Sequence, residues 1–213
     1  MEAVNLHLGD CLEAMRAMPD KAYDLAIVDP PYGGGNSYNF RFENDERTMY
    51  NNVRPSKEYF KELFRVSKDQ IIWGGNYFTD DLPESRGWIC WDKKQPLEGT
   101  QFSNFELAWT SFDKIARMVV LANAGFNHAD KRINKEKTIH PTQKPVSLYQ
   151  WLLENYAGKA NKILDTHLGG GSIAIACHRM GFNLDAYEIM PEYYDAAVKR
   201  FEKHKAQLTI WSQ

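Results

Sequence analysis

Leu164-Asp165-Thr166-His167-Leu168-Gly169-Gly170-Gly171-Ser172 is the stretch that decides the fold. A short apolar run at 162–165 leads into it and an apolar, helix-length stretch leaves it from Ser172, so it reads as strand, tight turn and helix. Glycines at such a turn remove the side chains that would hold a ligand off, and the helix N-terminus presents unpaired N–H groups. The next strand-like run, 183–188, ends in Glu188, 23 positions after Asp165. An acid there can accept hydrogen bonds from ribose hydroxyls. Together these features point to a nucleoside-containing ligand. Residues 169–174 also satisfy the loose G-x-G-x-x-G/A pattern, so a dinucleotide and an NAD-dependent oxidoreductase stay open at this level.

Outward from this turn, a helix is predicted at 146–156 and another from Pro191, a residue suited to a first helical turn. Tyr194, Ala197, Val198 and Phe201 fall on one stripe of that last helix. The N-terminal part repeats the alternation, with strand-like runs at 4–8, 25–28 and 70–73 and helix-like stretches at 11–18 and 57–66. Strands alternating with helices predict βαβ units and a parallel sheet, hence an α/β protein. Between the two halves, 86–145 reads differently, as hairpin-like strands at 88–91, 105–111 and 115–120 followed by a polar stretch. From 126 to 144 that stretch holds Lys131, Arg132, Lys135, Lys137 and Lys144 against Asp130 and Glu136. The chain is read as a single domain, 1–213, with 86–145 as a small inserted region.

The first half carries a second chemical motif. The run ending at Val28 passes directly into Asp29-Pro30-Pro31-Tyr32, at a strand's carboxyl end, where open α/β sheets bind ligands. The exocyclic amine of adenine or cytosine is a poor nucleophile because its lone pair is delocalised into the ring. The Asp29 carboxylate and the carbonyl of Pro30, both on φ-restricted backbone, suit it as acceptors for the two N–H bonds. Tyr32 offers an aromatic face to an extruded base. Orientation and electrostatics would then carry the catalysis.

Composition narrows the class. Of 213 residues, 43% are hydrophobic and 25% charged, as in globular proteins. A net charge of -2 gives no global reason to expect a polyanion, so any nucleic-acid contact must be local. Cys11, Cys90 and Cys177 form no CxxC pair, which indicates neither a disulfide framework nor a zinc site, and no metal is expected. The first residues lack a basic segment followed by an apolar one, and no apolar run reaches membrane length; a cytoplasmic protein without a membrane partner is expected.

Taken together, Asp29-Pro30-Pro31-Tyr32 and the Asp165 to Ser172 turn resemble the catalytic and cofactor motifs of the S-adenosylmethionine-dependent DNA amino-methyltransferases. The catalytic motif precedes the cofactor motif, the order of their β-type subgroup. Leu8-Gly9-Asp10-Cys11 and His140-Pro141-Thr142-Gln143-Lys144-Pro145 match two further family elements. The resemblance implies a Rossmann-like methyltransferase fold with a seven-stranded, mostly parallel sheet in circularly permuted motif order. It also implies methyl transfer from S-adenosylmethionine to the N6 amine of a flipped-out adenine in DNA, with cytosine N4 or RNA adenine as alternatives.

Carried over, Asp29, Pro30, Pro31 and Tyr32 are catalytic. Asp10 and Cys11 border the cofactor adenine, Glu188 the ribose, and Asp165, Thr166, His167, Leu168, Gly169, Gly171 and Ser172 the methionine end, with Lys144 near its carboxylate. The family's loop has Pro and Phe after its Asp, where this chain has Thr166 and His167; His167 is read as a polar substitute in a pocket wall. Lys131, Arg132, Lys135 and Lys137 become DNA phosphate contacts, and a region this short implies weak sequence discrimination. The apolar tail at 208–211 leaves a homodimer possible.

Overall fold

The computed structural model of the protein describes residues 3–33, 53–94, 103–121, 139–140, 142–158 and 162–211. Its strands are β1 (Val4–Leu8), β2 (Tyr23–Val28), β3 (Ser67–Trp73), β4 (Trp88–Asp92), β5 (Phe105–Thr110), β6 (Arg117–Val120), β7 (Lys162–Asp165) and β8 (Asn183–Glu188). They form one sheet in the order β1-β8-β7-β2-β3-β5-β4-β6. From β1 to β3 every pairing is parallel, while β5 runs antiparallel to both of its neighbours and β6 lies parallel to β4.

The sheet is therefore mostly parallel, as expected, but has eight strands rather than the seven that the resemblance implied. The additional edge is β6, where only Val119 of the four residues is buried and the strand is held to β4 by its backbone register. All of β4, β5 and β6 come from the segment read as inserted, and they continue the same sheet.

Both faces of the sheet are covered, which explains the near-continuous apolar runs of its central strands. Side chains alternate between the faces along each strand. Leu25 and Ile27 of β2 join Ile71 and Trp73 of β3 in a core roofed by α3 (Val146–Tyr156), α4 (Ser172–Met180) and part of α5 (Pro191–Trp211). Ala26, Val28 and Ile72 point the other way, against α2 (Lys57–Val66). Here Tyr59, Phe60 and Leu63 form the buried stripe of an amphipathic helix. Arg65 of α2 donates to the carbonyls of Met15 and Met18, tying down the end of α1 (Cys11–Ala17). Among the described residues no helix is long and apolar enough to cross a membrane.

Chain order sets the crevice. From β7 the chain passes through α4 to β8 on one side; from β2 it reaches β3 on the other, although β2 and β7 are neighbours. Connections that depart in opposite directions from adjacent strands open a cleft at their carboxyl ends. Asp165 closes β7 and Asp29 follows β2, so the topology brings the two motifs together across 136 positions of sequence.

Candidate active site

Across β1, β8, β7 and β2, four consecutive strands carry an acid at or just beyond the carboxyl end: Asp10, Glu188, Asp165 and Asp29. Strands about 4.8 Å apart place these acids in one row along the cleft. A row of like charges needs compensation, and it is supplied very differently at the two ends.

At the Asp29 end every charge has a partner. Tyr32 donates its hydroxyl to Asp29 Oδ1 at 2.8 Å, and Lys144 Nζ lies 2.5 Å from Oδ2. Lys144 also faces Glu106 of β5 at 3.0 Å, and Glu106 in turn faces Lys93 at 2.5 Å. Only 3% of the Lys144 side chain is exposed. Burial works against its charge, but Asp29 and Glu106 outweigh it and hold the ammonium above its ordinary pKa. Burial would likewise raise the Glu106 carboxyl, yet Lys144 and Lys93 keep it below the usual range. Indoles form the floor, with Lys144 over Trp73 at 5.2 Å and Lys93 over Trp91 at 5.6 Å.

The Tyr32 ring, read as an aromatic face for an extruded base, is packed on one side. One face stacks on Tyr77 with centroids 4.9 Å apart, and its ring edge abuts Gly74, where a Cβ would overlap the ring. Gly74 also takes φ +68°, so two requirements converge on glycine there. Tyr77, itself 41% exposed, lies between Tyr32 and open solvent on that side.

The Asp165 end is short of cations. Asp165 is buried and accepts a hydrogen bond from His167 N at 2.9 Å. Burial, opposed by that N–H and assisted by Asp29 and Glu188, pushes its carboxyl up to about 8. Glu188 receives Gly169 N on one oxygen and Met190 N on the other, at 2.9 and 3.0 Å, and burial still raises its pKa. A cation brought to this pocket would meet two desolvated carboxyls fixed by backbone, which is the donor set a sulfonium or ammonium group needs.

The glycine turn is shaped by the chain's own packing. A Cβ on Gly170 would collide with Gln143, and one on Gly171, at φ +70°, would press on Ala197. Arg200 of α5, itself buried, donates to Gly170 O at 2.6 Å and Ser172 Oγ at 2.9 Å, locking the turn from behind. His140 sits over Gly169 and edge-on to Tyr193, and burial with Lys144 nearby lowers its pKa to about 4. Asp10 caps α1, its Oδ1 accepting from Leu12 N at 2.7 Å. Cys11 behind it is pushed up to about 12 by burial and Asp10.

The departure at 166–167 has a local explanation. Thr166 Oγ1 bonds both the Tyr59 hydroxyl, at 2.7 Å, and His167 Nδ1, at 2.9 Å, while the Tyr59 and His167 rings meet edge to face at 5.6 Å. Burial lowers the pKa of His167 to about 4, so at neutral pH it is an uncharged wall of the pocket.

The chain matches the family model of the N6/N4 DNA methylases over residues 91–199, slightly more than half its length. It belongs to that family. The match begins in β4 and runs through the glycine turn into α5. The type II methyltransferase M.HpaI of Haemophilus parainfluenzae is 24% identical over 230 residues, covering 91% of this chain and 72% of that protein. The M1.HpyAVI–SAM complex has a similar fold, with a TM-score of 0.62 at 18% identity over 92% of this chain and 98% of the other. So does the cytosine-N4-specific PvuII DNA methyltransferase, at 0.63 and 15% identity over 96% and 92%. Membership removes the dinucleotide alternative left open by the glycine pattern. DNA methylases of this family draw their methyl group from S-adenosylmethionine.

The fold brings Asp29, Pro30, Pro31 and Tyr32, Asp165, Thr166, His167, Leu168, Gly169, Gly171 and Ser172, and Glu188 to the carboxyl ends of the neighbouring strands β2, β7 and β8. Asp10 and Cys11 stand beyond the carboxyl end of β1. Lys144 is on the Asp29 side, bound to Asp29 and Glu106. Lys131, Arg132, Lys135 and Lys137 lie outside the described residues. Sequence reasoning missed Glu106, Tyr59, Tyr77 and Arg200. For Glu106 a signal existed: it shares strand parity with buried Ala108 and Thr110, and a charged residue on the buried face of a strand calls for a partner. Arg200, one position before the apolar stripe residue Phe201, carried no comparable signal.

Proposed function

We propose that this methylase transfers the methyl group of S-adenosylmethionine to the N6 amine of an adenine in DNA. The observation that carries the proposal is Asp29: a carboxylate at a strand end, fixed by Tyr32 and Lys144, one strand from the cation-deficient pocket of Asp165. S-adenosylmethionine, when bound, supplies an electrophilic methyl group on a cationic sulfonium. The donor set suits it: Asp165 is a buried carboxyl without a counter-cation among its described contacts, and the Glu188 oxygens each have lone pairs left for hydroxyls.

Asp29 and the Pro30 carbonyl accept the N–H bonds of the target amine and turn its lone pair toward the methyl group. Thr166, His167 and Leu168 wall the pocket and exclude water. Lys131, Arg132, Lys135 and Lys137 hold DNA phosphates, so affinity falls steeply as salt rises. Adenine is the target that the family resemblance implies, while the acceptor pair of Asp29 and Pro30 would serve the N4 amine of cytosine by the same chemistry.

The test is methyl transfer to mixed-sequence DNA followed by digestion to nucleosides and mass identification. N6-methyldeoxyadenosine is expected, and Asp29→Ala should lower kcat on the order of 100-fold or more while S-adenosylmethionine affinity stays within a few-fold. N4-methyldeoxycytidine as the product would replace the adenine reading, and an active Asp29→Ala enzyme would remove its basis.

A further inference from the structure

Lys144 is shared between two carboxylates, Asp29 and Glu106, and only Asp29 has a role in the proposed transfer. Each Asp29 oxygen already accepts one bond, Oδ1 from Tyr32 and Oδ2 from Lys144, and keeps one lone pair. An incoming amine at Oδ2 therefore shares its acceptor with a buried ammonium, which draws negative charge from that oxygen and weakens the bond it can accept. Glu106 lies on the other side of that ammonium, at 3.0 Å, directly opposite Trp91 in the β4–β5 register. The remaining groups around Lys144 are the Trp73 ring below it, and His140 and Asp165, whose titrations feel its charge. Among the described residues, Glu106 is thus the one other anion within ion-pair distance of it.

We infer that Glu106 is a positioning residue for methyl transfer: it takes up the Lys144 ammonium so that Asp29 Oδ2 is released to the amine of the target base. Lys93 sets the strength of that hold from the far side, because it competes with Lys144 for the same carboxylate. The four groups alternate in sign along Asp29, Lys144, Glu106 and Lys93. A shift of Lys144 by a fraction of an ångström along this line changes its partner without moving a net charge through the protein. Trp73 and Trp91, edge to face at 6.0 Å, give both ammonium groups a continuous aromatic floor on which to shift. This inference rests on the proposed amine methylation, since only a competing N–H donor gives Asp29 a reason to be released.

Two substitutions separate the idea from a merely structural role, because they should act in opposite directions. Glu106→Gln leaves Lys144 with Asp29 as its sole anion in contact, so its ammonium should deprotonate at lower pH. Lys93→Met gives Glu106 to Lys144 undivided and should move that deprotonation to higher pH. The direct readout is the ¹⁵N-lysine ammonium resonance of Lys144, titrated in the cofactor-free protein. With DNA and cofactor, Glu106→Gln should lower kcat by about tenfold or more with cofactor affinity within about twofold, Glu106→Asp should restore part of the loss, and Lys93→Met should raise kcat.

Shifts of the same sign in both variants, or a wild-type kcat in Glu106→Gln, would overturn the inference. If Glu106→Gln does not fold, Lys93→Met decides by its kcat: a rise supports the inference, and an unchanged or lower value overturns it. Absence of methyl transfer by the unsubstituted protein on any nucleic acid would sink the proposed function itself, a different result from transfer that ignores Glu106.

Discussion

The two ends of the acid row solve one electrostatic problem in opposite ways. Around Asp29 the fold supplies its own cations, Lys144 and Lys93, in an alternating chain with Glu106. Around Asp165 it supplies a backbone amide in contact and only the more distant charge of Lys144, and burial leaves the carboxyl holding its proton up to about pH 8. One end is electrostatically complete before any ligand arrives, whereas the other is completed by a cationic ligand. A methyl donor bearing a sulfonium fits the second end. The first end keeps a reactive carboxylate from being left bare in a desolvated cleft.

The largest effect should come from breaking the complete end. Lys144→Met removes the shared cation and leaves Asp29 and Glu106 partly buried with Lys93 as their nearest counter-charge. Loss of one partner from a buried ion pair costs about 3 to 5 kcal/mol. Chemical denaturation of the cofactor-free protein at pH 7 should show a destabilisation of that size. A loss below about 1 kcal/mol would mean that water screens this cluster as it does surface pairs, and the contrast between the ends would collapse.

Asp165→Asn should do the reverse to the apo protein. Below about pH 4 the Asp165 carboxyl is protonated both folded and unfolded, so its presence is neutral. Between about pH 4 and 8 the unfolded chain gives up that proton and the folded one keeps it, and folding stability falls by up to about 1.4 kcal/mol for each pH unit. Above about 8 the penalty is constant. Asp165→Asn abolishes this slope, so the cofactor-free variant should match the parent near pH 4 and exceed it in Tm at pH 8 and above. In the parent, a cationic cofactor expels the proton, so affinity should tighten as pH rises toward 8; in the variant affinity should be lower by about tenfold or more and flat over that range. Calorimetry of cofactor binding at pH 6, 7 and 8 checks both slopes.

The contrast also marks what the sequence could reveal. Asp29, Asp165 and Glu188 were legible because each ends an apolar run, a local pattern that survives without knowledge of the neighbours. Helix and strand positions in 4–28, 57–73 and 146–201 were legible for the same reason, and the eighth strand was visible as the run at 115–120 even though the resemblance implied seven. The partners were not legible. Glu106 meets Lys144 only because β5 is inserted antiparallel between β3 and β4, a pairing that depends on the whole sheet order. The glycines of the turn announced a close approach without identifying it, and what approaches Gly170 and Gly171 is Gln143 and Ala197 of the same chain.

The smallest effect probes the wall between the two ends. Tyr59 reaches from α2 to Thr166, and through that hydroxyl fixes His167 against the pocket. Tyr59→Phe keeps the ring packing on Phe60 and His167 and deletes one buried hydrogen bond, so destabilisation near 1 kcal/mol is expected, seen as a drop in Tm of a few degrees. Thr166 still has His167 Nδ1 as a partner, which limits the loss. His167 titrates near pH 4 in the folded protein and near 6.5 when unfolded, so its burial weakens the fold as pH falls from about 6.5 to about 4 and not above. If the tyrosine serves chiefly to hold His167 in that buried site, the variant should soften this acid slope while leaving the Asp165 slope between pH 6.5 and 8 unchanged. Should Tyr59→Phe alter both slopes together, Thr166 would be coupling the wall to the Asp165 carboxyl, and the two ends of the row would be one electrostatic unit rather than two.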